Sequence, residues 1–185
     1  MIGTHDSLTG DGARWLVWHL ISFLWRTQRH SVWSQMADGA RYLDIRVRRT
    51  KSGWRACHGL VDLRWQFATL DGLLDLFGDR RIRLILERGS SLEFETLVPR
   101  LAEAHGNLSF ACVKKGWRVL VDRDPEICDY TFTPWLSGNT LRMNLRRLWG
   151  MRRGPLTIKS WARTHNPPVN NDIVASETVH FMDYL

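Results

Sequence analysis

The residues of this sequence that could do chemistry are histidines, carboxylates and arginines near the ends of predicted strands. Asp44 and Arg46 are two residues apart, so on a strand both side chains point to one face. A pair of histidines can supply a base and an acid, and a fixed positive charge can stabilise phosphate oxygens. Such groups are suited to splitting a phosphodiester, and the full set is His5, Asp6, Asp44, Arg46, His58, Glu87, Arg123 and Asp183.

The elements that must position these residues alternate between strand and helix patterns. Apolar runs predict strands over 1–5, 41–47, 54–58, 81–87, 117–123, 156–161 and 178–183, with 130–135 as the best candidate for one more. Helical patterns cover 13–25, 31–38, 69–77, 91–105 and 139–149. This alternation indicates a parallel sheet of βαβ units.

The predicted fold is α/β, a compact TIM (β/α)8 barrel, complete or incomplete. Such barrels usually take about 250 residues and about 200 at the small end, so a chain of 185 residues would form a stripped-down version. Active sites of these barrels lie at the carboxyl ends of the strands. We therefore expect the eight residues to meet at one mouth of a single domain that spans residues 1–185.

Composition and charge narrow the class of protein. The chain is 44% hydrophobic, contains ten Trp and carries a formal charge of +7, with a pI of about 9.9. Enough apolar surface is present to form a core, and disorder is not expected. The charge favours an anionic partner, such as nucleic acid, an acidic membrane or a phosphorylated substrate, without choosing among them.

The cysteine pattern gives no sign of a disulfide framework or a zinc site. Cys57, Cys112 and Cys128 are odd in number and contain no C-x-x-C pair. No signal peptide is visible, and the longest apolar stretch, 13–25, is too short to span a bilayer. From the sequence alone we expect a monomer that is cytoplasmic or peripheral to a membrane.

The first 60 residues carry a specific resemblance. The segment Gly3-Thr-His-Asp-Ser7 resembles the opening motif of the X domain of phosphatidylinositol-specific phospholipase C. The block from Gly39 to Val47 (GARYLDIRV) resembles the family's second motif, and His58-Gly59 its second histidine motif. The segments 119–121 and 134–140 resemble later parts of small proteins that consist of the X domain only. Phe181-Met-Asp-Tyr184 resembles the closing strand.

The resemblance implies a role for each catalytic residue. His5 would take the proton from the inositol 2-hydroxyl, which attacks phosphorus, and Asp183 would orient His5. His58 would protonate the departing diacylglycerol oxygen, with Asp6 supporting it. Arg46 would pair with the phosphate, and the products would be diacylglycerol and a cyclic inositol phosphate.

The resemblance also bears on the metal and the substrate. Family members with Arg at the place of Arg46 are calcium-free, so we expect no metal and no cofactor. Asp44, Glu87 and Arg123 are assigned to substrate binding. The expected partners are a phosphatidylinositol-like phospholipid and an anionic membrane surface. Glu87-Arg-Gly89 stands where bacterial enzymes carry a lysine, which puts selectivity for inositol in question.

Less specific interpretations remain open for several of these features. Arg46 and Asp44 could form only an internal ion pair, and Glu87 could only close the barrel mouth. The Trp-rich helix over 13–25 could pack on the barrel or touch a membrane at the active-site rim. Alternative functions are a barrel that binds phosphoinositide or another anion without turnover, and a phosphodiesterase for another head group. A nucleic-acid-binding protein is disfavoured, because no RRM, KH or zinc signature is present.

Overall fold

The fold is a mixed sheet with helices packed against one face. The computed structural model describes residues 2–4, 6–20, 27–124, 127–129 and 179–182. The strands are β1 (Ile2–Thr4), β2 (Ala40–Thr50), β3 (Gly53–His58), β4 (Val61–Phe67), β5 (Arg81–Arg88), β6 (Leu108–Val113), β7 (Arg118–Asp122), β8 (Ile127–Asp129) and β9 (Val179–Met182). The helices are α1 (Leu16–Leu20), α2 (Val32–Ala37), α3 (Leu70–Leu76) and α4 (Leu92–Ala104), and a 3₁₀ helix covers Ser7–Asp11.

Seven of the strands form one continuous path in the order β7-β6-β5-β2-β1-β9-β8. The pairs from β8 through to β6 are all parallel. Their carboxyl ends therefore lie at one edge of the sheet, as the barrel prediction requires. Between β7 and β8 no pairing is found among the described residues, so closure into a complete barrel remains a prediction.

Two strands differ from the expected parallel arrangement. β7 runs antiparallel to β6, with Ala111 opposite Val121. β3 runs antiparallel to β2 and forms a hairpin with β4 that lies off the main path. The prediction that every strand is a parallel barrel strand is therefore wrong for β3 and β7, and a strand over 61–67 was not expected.

The close approach of β3 to β4 depends on a glycine at the start of β3, after the turn from β2. Gly53 has φ of +117°, which glycine adopts far more readily than other residues. A Cβ atom at this position would also lie 2.2 Å from the carbonyl oxygen of Phe67. Any other residue would push β3 and β4 apart at this point.

The two faces of β2 serve different purposes. Leu43, Ile45 and Val47 are fully buried in the main core, where Phe94 of α4 and residues of α3 also pack. Asp44 and Arg46 alternate with them and so point to the opposite face. This places two charged, buried side chains on the face away from the helices.

The predicted helices over 69–77 and 91–105 match α3 and α4 closely. Thr69 caps α3 by accepting a hydrogen bond from the Gly72 amide at 3.1 Å. Glu93 and Glu95 lie in the first turn of α4, where negative charge is favourable. The predicted elements over 130–135, 139–149 and 156–161 lie outside the described residues. Within the described part of the chain, no helix is both long and apolar enough to cross a membrane.

Candidate active site

Asp6 occupies the junction between β1 and the 3₁₀ helix in a left-handed conformation, with φ 46° and ψ 52°. Aspartate tolerates this region better than most residues. The Thr9 amide and the Thr9 hydroxyl each donate to the Asp6 carbonyl at 2.9 Å. This local turn fixes the backbone, and the buried Asp6 carboxylate is directed toward β2 and β3.

Arg46 lies at the centre of the site and contacts three carboxylates. Its Nε is 2.5 Å from Oδ1 of Asp6, and its Nη2 donates to Oδ2 of Asp44 at 3.2 Å. Its Nη1 is 3.7 Å from Oε2 of Glu87. These residues come from the end of β1, from β2 and from the end of β5, and the parallel strands bring them together around Arg46.

The charge state of Arg46 is set by these neighbours. Burial by itself disfavours the charged form, but the negative charges of Asp6, Asp44 and Glu87 outweigh burial and raise the pKa of Arg46 above its ordinary value. The guanidinium therefore stays positive in a buried place where an isolated charge would be costly.

His58 reaches the same group from the end of β3. Its Nε2 lies 3.2 Å from Oδ2 of Asp6, and its side chain is 19% exposed. Asp6 thus contacts Arg46 through one oxygen and His58 through the other. A histidine that touches a buried carboxylate and also reaches the surface can exchange a proton with a bound molecule.

Glu87 links the turn that follows His58 to the sheet through a hydrogen bond. Its Oε1 accepts a hydrogen bond from the Gly59 amide at 3.1 Å. The same oxygen contacts Nζ of Lys114, which follows β6. The sequence reasoning missed Lys114 because it did not identify β6. The apolar run 108–113 followed by two lysines was the signal that could have found it.

Arg123 is not part of this group. Its backbone amide donates to the carbonyl of Ser109 at 2.6 Å, near the beginning of β6. Its side-chain Nη1 donates to the carbonyl of Ala102 at 2.9 Å. Because β7 is antiparallel, Arg123 lies at the amino-terminal edge of β6, opposite the edge with Arg46. The expectation that Arg123 joins the mouth is therefore corrected.

His5 and Asp183 lie outside the described residues, and so does their expected contact. The neighbouring residues are described: Thr4 of β1 pairs in register with Met182 of β9. His5 and Asp183 are the next residues in the sequence after this pair.

Cys57 is adjacent to His58 but is poorly suited to act as a nucleophile. Burial, followed by the nearby charge of Glu87, raises the pKa of the Cys57 thiol to about 12. The thiolate is the reactive form of cysteine, so this side chain stays protonated near neutral pH. Across the described ranges, no set of His, Cys, Asp or Glu side chains is arranged to hold a metal ion.

Among the comparisons with known proteins, only the comparison of structures finds similar proteins. No protein-family model matches the chain, and no curated protein sequence matches it. The structure is similar to a phosphatidylinositol-specific phospholipase C from Listeria monocytogenes, with a TM-score of 0.60 and 16% identity over 100% of this chain and 87% of the other. It is also similar to the corresponding phospholipase C of S. aureus, with a TM-score of 0.53 and 14% identity over 100% and 85%. At this identity the likeness shows a shared fold.

Proposed function

We propose that this chain is a metal-independent phosphodiesterase that cleaves the head group of a phosphatidylinositol-like phospholipid. The observation that carries the proposal is the bridge formed by Asp6, whose two oxygens contact Arg46 and His58. The bridge places a candidate proton donor beside a fixed positive charge. The fold shared with two bacterial phospholipases C supports the same reaction class.

In the proposed reaction, His58 is the general acid. Protonated His58 gives its proton to the diacylglycerol oxygen as the bond from phosphorus to that oxygen breaks. Asp6 stabilises the charged ring before the transfer, the role a carboxylate has beside histidine in other hydrolytic sites. Arg46 offsets the negative charge that develops on the phosphate oxygens.

His5 is the proposed general base, and Asp183 its orienting partner. His5 takes the proton from the inositol 2-hydroxyl, and the hydroxyl oxygen then forms the new bond to phosphorus. The pairing of Thr4 with Met182 supports this assignment, since His5 and Asp183 directly follow these residues. The proton accepted by His5 and the proton lost by His58 balance over the step.

Exposed apolar residues around the carboxyl edge support a lipid substrate. Leu60 is 77% exposed beside His58, Leu92 is 76% exposed after β5, and Trp117 is 43% exposed after β6. Trp15 and Leu16 are exposed in the segment that follows β1. Apolar side chains close to basic ones are typical of surfaces that touch a lipid interface, so we propose peripheral contact with an anionic membrane.

A module that binds an anion without turnover is the less favoured function. Asp6, Asp44 and Glu87 contribute three negative charges, and Arg46 and Lys114 contribute two positive ones. Binding of a phosphate to this group would therefore need a protonated histidine. That requirement suits an acid catalyst better than a static anion site.

The decisive experiment is product analysis with a panel of labelled phospholipids, with and without EDTA. We expect diacylglycerol and a cyclic inositol phosphate from phosphatidylinositol, equally in both conditions. Binding of the lipid with no release of diacylglycerol would favour the binding module. Cleavage of another phospholipid alone would keep the phosphodiesterase but change its head group.

A further inference from the structure

Two carboxylates connect His58 and its neighbouring backbone to Arg46. Asp6 contacts Arg46 through one oxygen and the His58 ring through the other. Glu87 contacts Arg46 through Oε2 at 3.7 Å and accepts a hydrogen bond from the Gly59 amide through Oε1 at 3.1 Å. The ring of His58 and the backbone directly after it are therefore each linked to the same guanidinium through one carboxylate.

The turn that contains Gly59 is short, so one hydrogen bond restrains much of it. β3 ends at His58 and β4 begins at Val61, which leaves Gly59 and Leu60 as a two-residue connection. Gly59 has φ of +55°, in the left-handed region that glycine adopts readily. Its amide nitrogen belongs to the planar peptide group that also contains the carbonyl carbon of His58. A hydrogen bond to this amide therefore restrains the direction in which the His58 side chain leaves the backbone.

The Glu87 oxygen that holds this turn has Lys114 as its charged partner. The side chain of Glu87 is 2% exposed, and a buried carboxylate is costly unless it is paired with a positive charge. Arg46 is a distant and shared partner, because it also contacts Asp6 and Asp44. Nζ of Lys114 contacts Oε1 itself, the oxygen that accepts from the Gly59 amide. The orientation of Glu87 toward the turn therefore depends on Lys114.

The backbone of Lys114 is held by the sheet. Its amide donates to the carbonyl of Leu86 at 2.9 Å, directly after the last residue of β6. This hydrogen bond places Lys114 beside the end of β5, where Glu87 follows Leu86. The side chain of Lys114 is 35% exposed, so its replacement leaves the packing of the core intact.

We propose that Lys114 is a positioning residue for the general acid His58. It acts through Glu87, which holds the Gly59 amide. The inference rests on the proposed function, in which His58 gives its proton to the departing oxygen. Without Lys114, the carboxylate of Glu87 keeps only its longer contact with Arg46, and the hold on the turn weakens. The proton of His58 is then poorly aligned with the leaving oxygen, and small errors of alignment slow a reaction strongly.

The test compares two soluble substrates with different leaving groups. An alcohol must receive a proton as it departs, whereas para-nitrophenol is acidic enough to leave as the anion. We therefore measure kcat and KM for short-chain phosphatidylinositol and for the para-nitrophenyl ester of inositol phosphate. Lys114→Met should lower kcat for the lipid about 10-fold to 100-fold. It should leave kcat for the aryl ester, and KM for both substrates, nearly unchanged.

Lys115→Met is the matched control. Lys115 is the next residue in the same connection, and its side chain is exposed. Its replacement removes the same charge without touching Glu87, so both kcat values should remain those of the wild type. Lys114→Arg keeps a positive charge beside Glu87 and should restore most of kcat for the lipid, which a general loss of stability would not allow.

Three kinetic results would overturn the proposal. Equal losses of kcat on both esters would mean that the whole site has loosened. A higher KM for both esters with kcat retained would make Lys114 a direct contact of the head group. The same losses in Lys115→Met as in Lys114→Met would show that only the net charge of the connection matters.

Hydrogen exchange of the Gly59 amide separates this inference from the proposed function. Lys114→Met should speed the exchange of this amide about 10-fold, since its hydrogen bond to Glu87 weakens, whereas Lys115→Met should not. Unchanged exchange in Lys114→Met overturns the proposal whatever the activity. If the wild type cleaves neither ester, the proposed function and the acid role of His58 fail, and faster exchange then supports only the link from Lys114 to the turn.

Discussion

Oδ2 of Asp6 lies 3.2 Å from Nε2 of His58, while the other oxygen of the same carboxylate lies 2.5 Å from Nε of Arg46. The three side chains come from segments that are far apart in the sequence, and only the parallel order of β1 and β2 with the β3 hairpin brings them together. The position of the His58 ring therefore depends on Arg46 through Asp6.

Asp6→Asn tests this dependence. Asparagine also tolerates the left-handed backbone at this position, so the turn should survive. Because an amide does not stabilise a charged imidazole, turnover should fall on the order of 100-fold, and the pH dependence of the activity should change shape. Activity against pH, with melting curves, checks this.

Asp44→Asn is the control for Asp6→Asn. It also removes a carboxylate from Arg46 but leaves the contact to His58 intact, so it should keep the shape of the pH profile. The same change of shape in both variants would show that Asp6 acts only through Arg46.

A double-mutant cycle tests the proposed pair of His5 and Asp183. If Asp183 acts by orienting His5, Asp183→Asn should slow turnover by orders of magnitude in the wild type and add almost nothing in His5→Ala. Rates of the four proteins on one lipid give the coupling. Independent, multiplying effects of the two substitutions would contradict the pair.

Metal removal gives a third prediction. Arg46 stands among Asp6, Asp44 and Glu87, three carboxylates that could otherwise attract a cation. We expect its positive charge to repel one, so the initial rate should be the same with EDTA, with added calcium and with neither. Loss of activity in EDTA and its return with calcium would remove the proposed role of Arg46.

Two neighbouring tryptophans test the membrane contact. The side chain of Trp15 is exposed, whereas Trp18 packs against the main core. Trp15→Ala should weaken binding to anionic vesicles and leave the melting temperature nearly unchanged. Trp18→Ala should lower stability by about 0.5–3 kcal/mol with little effect on vesicle binding by the folded protein. The reverse result would assign Trp15 to packing. The sequence left both roles open for the helix over 13–25, of which residues 21–26 lie outside the described residues.

Asp124 should make the folded protein less stable as the pH rises. Burial raises its pKa from 3.8 to about 7 in the folded protein. The folded state then binds the proton more tightly than the unfolded state, so this contribution to stability is present at low pH and is lost as pH rises from about 4 through 7. Asp124→Asn should raise the melting temperature more at pH 8 than at pH 4. An equal difference at both values would contradict the assigned burial of the charge.

The sequence predicted the polar residues on β2 and β5 well, because the alternation of side chains in a strand is strict. Asp44, Arg46 and Glu87 needed only the period of two and the rule that parallel strands end at one edge. His58 also reached the predicted site, although β3 is not a barrel strand. Its position depends on the contact with Asp6, which the family resemblance implied but which the spacing of residues alone does not show.

The missed strand β6 and the misplaced Arg123 have one physical cause. The sequence did not show the direction of strands that are joined by short connections. All six residues of β6, Leu108–Val113, are buried, so the strand shows no alternation and went unrecognised. Because β6 was not recognised, the sequence did not show that only residues 114–117 connect β6 to β7. A connection that short cannot cross over to a parallel strand, which is why β7 runs antiparallel and Arg123 lies at the opposite edge.

The pairing of β1 on both sides has a consequence for how the molecule folds. One neighbour, β2, begins fewer than 40 residues away, whereas the other, β9, lies more than 170 residues along the chain. Closing so long a loop costs more entropy and tends to come late. Most of the core can therefore assemble first, and the strand next to the proposed base obtains its second neighbour only at the end of folding.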